Sequence, residues 1–176
     1  MKINELKKYL KTLNQEEMIN LIVQLSKIDK KNAAFLESKY HQGSAETALV
    51  NEYKLKMRYV FFREMLPSLK KAKSFISDLR KVAPKSEYLL DLQLYYVECG
   101  VDFTNEYGDI DANFYYSMAS VFSEFVHGLN TFGSEEFYIA VKPRIDKIIR
   151  ETEDIGWGFY DDLCEAASEI AGYEFE

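Results

Sequence analysis

Apolar residues recur along this chain every three or four positions, the spacing of a helix that turns one face to a core. Nowhere do they settle into the two-residue alternation of a strand flanked by hairpin turns. Ile3, Leu6, Leu10 and Leu13 mark a short first helix. Asn14 followed by Glu17 forms a capping box that opens a second, with Met18, Leu21, Ile22 and Leu25 as its core positions. Asp29 caps a third helix that turns Ala33, Leu36 and Tyr40 inward and ends at Gly43. Ser44 starts a long fourth helix reaching about Met65, with Leu49, Tyr53, Met57, Val60 and Phe61 available for burial.

Pro67 fits the first turn of a fifth helix, where a missing amide hydrogen costs nothing, and Pro84 ends it. Leu69, Ala72, Ile76 and Leu79 form its apolar stripe, while Lys70, Lys73, Ser77 and Lys81 lie on another face. The sixth helix, roughly residues 86–105, is the most apolar: Leu89, Leu92, Tyr96, Cys99 and Phe103 are flanked by Leu90, Leu94, Val97 and Val101. It is expected at the centre, contacted on more than one side. Asp111 caps a seventh helix from Ala112 to about Asn130, Ser134 opens an eighth, and a ninth follows Gly156 and Gly158 to about Gly172.

The pattern therefore predicts an all-α protein: eight or nine mostly antiparallel helices in stacked helical pairs, a short solenoid-like array or irregular bundle. No fixed repeat signature is present. Residues 1–176 are expected to form a single domain, with residues 1–43 a helical hairpin subregion packed on the rest.

Composition narrows the setting. Hydrophobic residues make up 47% of the chain and aromatics 15%, which excludes a disordered tail. Cys99 and Cys164 have no ligand-like spacing and are expected as reduced, packed thiols, hence in a reducing compartment. The early apolar run from Met18 to Leu25 is too short to span a bilayer, and no signal peptide is recognisable, so a cytoplasmic protein without a membrane partner is expected.

The net charge of −7 conceals a polarity: residues 1–90 hold 18 Lys and Arg against 10 Asp and Glu, whereas residues 91–176 hold 4 against 19. Such halves can attract within the fold, associate head to tail in a homo-oligomer, or leave a basic face for an anionic partner.

Two segments carry more than packing information. In Tyr95 through Asp111, helical spacing puts Asp91, Glu98 and Asp102 along one face, with Asp109 and Asp111 in the turn that follows. Such carboxylates can hold a divalent cation, share a proton, or accept the basic helix carrying Lys70, Lys73 and Arg80. The more usual role of Asn105, Asp109 and Asp111 is to stop one helix and cap the next. The spacing does not match a calcium-binding loop, and no metal site is assigned.

The second segment, Asp154 through Asp162, places the only tryptophan between Gly156 and Gly158, followed by Phe159 and Tyr160. That arrangement either exposes Trp157 as a binding platform or, more commonly, lets the indole plug the core at a turn. It is no phosphate loop: no strand precedes it and no lysine completes it.

Catalytic motifs are thin. Glu124 and His127 have the spacing of a di-iron ligand pair, but a second such motif is absent, and His41 follows Glu37 by four residues. Neither cysteine has a basic neighbour in sequence that would activate it. No catalytic residue and no cofactor is assigned. Lys54, Lys56, Arg58, Arg63, Lys70, Lys71, Lys73, Arg80, Lys81 and Lys85 make residues 45–82 and their flank a candidate nucleic-acid surface, with Tyr59 or Phe62 for stacking, although helical phase scatters them over several faces.

At Leu6 through Glu17, and more distinctively at Tyr95 through Asp111 and Ile155 through Asp161, the chain resembles an uncharacterised bacterial all-helical family, a numbered domain of unknown function. The resemblance covers nearly the whole chain. It rests on Tyr-Tyr-Val-Glu-Cys-Gly running into Gly108-Asp109-Ile110-Asp111, and on Gly156-Trp157-Gly158-Phe159. That family often has histidine where this chain has Tyr160, so a role needing imidazole there is not implied. The resemblance implies a helical bacterial cytoplasmic domain and no activity.

The leading expectation is a non-catalytic protein-binding or adaptor domain, its candidate binding residues being Glu98, Asp102, Asn105, Asp109, Asp111, Trp157, Phe159 and Tyr160. Nucleic-acid binding through the basic surface of Lys70, Lys73, Arg80 and Lys81 ranks behind it. A small acid- or metal-dependent enzyme centred on Glu98 and Asp102 is the remaining alternative.

Overall fold

A computed structural model describes residues 2–40, 44–63 and 65–175 of the chain. Among the described residues it contains nine α-helices and no strand. The chain divides into two compact units, Met1–Ala45 and Glu46–Glu176.

The first unit holds α1 (Ile3–Leu10), α2 (Gln15–Ile28) and α3 (Lys30–Tyr40). Its boundaries follow local hydrogen bonding. The Glu17 amide donates to the Asn14 side chain at 2.9 Å while the Asn14 amide donates to Glu17, and the Lys31 amide donates to Asp29 at 2.8 Å. α2 packs on α3, and the Asn32 side-chain amide donates to the Leu25 carbonyl.

The expected burial does not follow. No residue of α1 or α2 is buried: Ile3 is 72% exposed, and Leu6, Ile22 and Leu25 also face outward. A unit of this size, with helices of 8 and 14 residues, encloses too little volume for a core. The expected stop at Gly43, His41 and the side chain of Tyr40 lie outside the described residues.

The second unit comprises most of α4 (Ser44–Phe62), then α5 (Leu69–Val82), α6 (Glu87–Tyr107), α7 (Ala112–Phe132), α8 (Glu135–Arg150) and α9 (Phe159–Ser168). Ser86, Asp111 and Ser134 cap α6, α7 and α8, each accepting from the amide three residues on. Several boundaries differ from expectation. α4 ends at Phe62, before Met65. Pro67 precedes α5 rather than entering its first turn, with Ser68 at the N-cap. α6 and α7 each run two residues further than expected, and α9 stops at Ser168 instead of Gly172.

Cross-helix contacts give the directions. Gln93 meets Glu124 and Tyr96 meets Ser117, so α6 and α7 are antiparallel. Glu87 meets Ser134 and Glu98 meets Arg144, so α6 and α8 are parallel. Tyr115 meets Phe159 and Asn130 meets the Glu169 carbonyl, so α7 and α9 are parallel. α6 to α9 thus alternate up and down, and α6 is packed by α5, α7 and α8 as its apolarity predicts.

Gly100 of α6 and Gly128 of α7 each leave room for a side chain of the facing helix, at two separate levels of the α6–α7 contact. A methyl group on Gly128 would lie 2.5 Å from a Leu90 methyl, and one on Gly100 would strike the Met118 sulfur. Through this core runs a chain of ring contacts, Phe61 to Phe103 to Phe114 to Tyr115 to Phe159, leading from α4 to the start of α9.

Candidate functional site

At the end of that aromatic chain the two unusual sequence segments meet. Phe159 is buried against Tyr115, their ring centroids 5.1 Å apart. The Tyr115 hydroxyl donates to Asp109 Oδ1 at 2.5 Å, and the indole nitrogen of Trp157 donates to Asp109 Oδ2 at 2.8 Å. One carboxylate therefore ties the α6–α7 turn to the α8–α9 turn. The Tyr115 and Trp157 donors hold its pKa below the usual aspartate value.

Trp157 does not plug the core: it is 59% exposed. It is also the sole non-glycine among the described residues with a positive φ, 64°, followed by Gly158 at 71°. A side chain in that left-handed region is strained, and the strain is carried here by the one tryptophan. Phe159, next in the chain, is buried against Tyr115, and Asp109 accepts from the indole nitrogen, so the exposed ring is tethered at both its backbone and its N–H.

A concavity of about 420 Å³ adjoins this turn, lined by Asn105, Asp109, Glu151, Glu153 and Asp154 among others, with Arg150 its single cation. Asn105 donates to the Glu151 carbonyl at 3.2 Å. Asp109, Glu151, Glu153 and Asp154 outnumber Arg150 there, so the surface beside the Trp157 turn is anionic. Asp111 is occupied in capping α7 at 2.9 Å. Tyr160 lies at the first turn of α9, where a hydrogen bond to Cys164 raises its pKa.

Glu98 and Asp102 form a different assembly. Arg144 of α8 grips Glu98 through two hydrogen bonds of 2.7 and 2.8 Å and reaches Asp91 at 2.7 Å. Lys54 of α4 takes the other Asp91 oxygen at 2.6 Å. Burial acts to lower the proton affinity of Arg144, but Glu98 and Asp91 overturn it and hold the guanidinium above the usual arginine range. Asp102 faces Arg58 of α4 at 3.4 Å. The acidic face of α6 is thus matched by α4 and α8, not by the basic helix α5. All three carboxylates are paired with cations, Arg144 being shared by Glu98 and Asp91, and among the described residues no three His, Cys, Asp or Glu side chains converge as metal ligands.

Arg144 is the residue that sequence reasoning missed. One signal was present: all four cations after residue 90, Lys142, Arg144, Lys147 and Arg150, fall within α8, which marks that helix as the partner of an acidic face.

The basic surface is partly consumed in the same way. Arg80 pairs with Glu124, which also accepts from Gln93, and Lys81 pairs with Asp78 at 3.0 Å. Lys70 and Lys73 border a shallow groove with the exposed Tyr116. Glu124 is thus engaged by Arg80 and Gln93, and among the described residues no cluster of metal ligands joins it to His127. Cys99 is buried and its pKa is pushed up to about 12, chiefly by desolvation, which keeps it a thiol rather than a nucleophile.

The fold and the Trp157 turn together define an all-helical protein with an exposed aromatic side chain, hydrogen-bonded to Asp109, in an acidic setting. Compared with described protein families, curated proteins and solved structures, the chain matches none. No helix among the described residues is long and apolar enough to cross a membrane.

Proposed function

We propose that this chain is a non-catalytic helical protein-binding domain and that Trp157 is its anchor. The supporting observation is that the one tryptophan is held exposed at a positive φ by a hydrogen bond to Asp109. A free surface indole gains little from strain, whereas a pre-positioned one loses little entropy on docking, and tryptophan is prominent among residues that dominate interface energies. The acidic surroundings suit a partner that offers a Lys or Arg to the ring face. The pairing of Glu98 and Asp102 with arginines disfavours an enzyme built on them. The bacterial, cytoplasmic setting implied by the family resemblance belongs to the same proposal, and the free cysteines support it.

The test is recovery of the chain from its own cells at native abundance, with and without nuclease and at low and moderate salt, beside a Trp157→Gly variant. A stoichiometric protein that survives nuclease and disappears with Trp157→Gly is the expected result. A partner retained undiminished by that variant, material lost with nuclease, or recovery of the chain alone overturns the reading.

A further inference from the structure

The second unit carries a groove of about 930 Å³ whose walls come from α5, α6, α7 and α9; Trp157 does not line it. Its residues on α7 run from Tyr116 to Gly128 at the three- and four-residue spacing of one helix face, a length of roughly 18 Å at the helical rise per residue. Leu89, Ala119, Phe132 and Ala166 give it an apolar lining. Along the α9 wall stand Asp162, Glu165 and Glu169, again on one face. Among the described residues no ion pair engages these three carboxylates; α9 and the sequence after it contain no Lys or Arg, and Arg80 across the groove is engaged by Glu124. A long channel with an apolar floor and an unmatched anionic rim suits an amphipathic helix with basic flanks.

The chain itself contains such a helix. α1 exposes Ile3, Leu6 and Tyr9, and Lys2, Lys7, Lys8 and Lys11 stand around it against the single acid Glu5. At eight residues it is roughly 12 Å long, short enough to lie within the groove. No residue of α1 is buried, so its apolar stripe is available to a partner.

We infer that the groove bordered by Asp162, Glu165 and Glu169 receives the α1 helix of a second copy of this chain. The stripe of Ile3 and Leu6 faces the apolar floor, and Lys7, Lys8 and Lys11 meet the α9 carboxylates. The interface is heterologous, since the patch given and the patch received are different, and it joins a basic helix of one molecule to an acid-rimmed groove of the next.

The experiment is sedimentation analysis of the full chain over a range of concentrations at low and high salt, with three variants. Lys7→Glu with Lys8→Glu reverses the helix, Glu165→Lys with Glu169→Lys reverses the groove, and the fourfold variant combines them. All four positions are exposed, and circular dichroism confirms that the variants keep their helices. The wild-type chain associates as concentration rises and dissociates in salt. Each double variant associates about tenfold more weakly or worse, as two attractions become two repulsions, and the fourfold variant recovers the loss. A chain that stays monomeric throughout, association untouched by either reversal, or a fourfold variant no better than the doubles overturns the inference. So does a monomeric chain whose groove takes up a foreign lysine-rich amphipathic peptide.

Discussion

The guanidinium of Arg144 lies fork to fork on the carboxylate of Glu98, with parallel hydrogen bonds of 2.7 and 2.8 Å, and spends its remaining arm on Asp91 at 2.7 Å. Two helices that share no turn are thereby joined through a single planar group.

Replacing Arg144 with Met leaves Glu98 and Asp91 half-buried without their main partner. Destabilisation by about 2 kcal/mol is expected, below the range for fully buried pairs because both sides retain some solvent. Arg144→Lys recovers less than half of the loss, since an ammonium cannot reproduce the fork. Urea unfolding of the three proteins checks this, and equal stability of the Met variant and wild type contradicts the pairing.

At Trp157, glycine and alanine substitutions separate strain from recognition. Both remove the indole and its bond to Asp109, but only glycine relieves the positive φ. Trp157→Gly is therefore expected to be more stable than Trp157→Ala by about 1 kcal/mol. Thermal melts of the pair measure that difference, and the reverse order would show that φ is not the constraint.

Acid should release the same turn. The pKa of Asp109 is depressed by Tyr115 and Trp157, so its contribution to stability is fully present above the unfolded aspartate value of about 3.9 and is lost as pH falls through the lower folded value. The emission of Trp157 is expected to hold steady from neutral pH down to that region and shift below it. In Asp109→Asn that acid-linked shift is absent. A transition near neutrality in the wild-type chain would assign it to another group.

Much of the helical plan was legible because it is written locally. Asn14, Asp29, Ser86, Asp111 and Ser134 each bond an amide two or three residues on, a geometry that sequence spacing alone dictates. What depends on distant partners was not legible in that way. The stripe through Leu6, Ile22 and Leu25 has the right period for a core, yet whether a stripe is covered depends on how much protein surrounds it. Asp91, Glu98 and Asp102 were correctly placed on one face, but their true partners on α4 and α8 are 37 to 53 residues away in the chain and are chosen by packing. Asp109 and Trp157 were both singled out as candidates; that one holds the other, across 48 residues, only the fold could reveal.

The confinement of every later cation to α8 also bears on how the molecule opens. If α8 alone frayed from its neighbours, Arg144 would leave with it, and Asp91 and Glu98 would be stranded on α6 with only Lys54 in reach. Such a half-opened form combines bared apolar surface with mutual repulsion, so it is disfavoured on two grounds at once. Detachment of that one helix therefore tends to carry the rest with it, and the second unit comes apart as a block rather than peeling helix by helix.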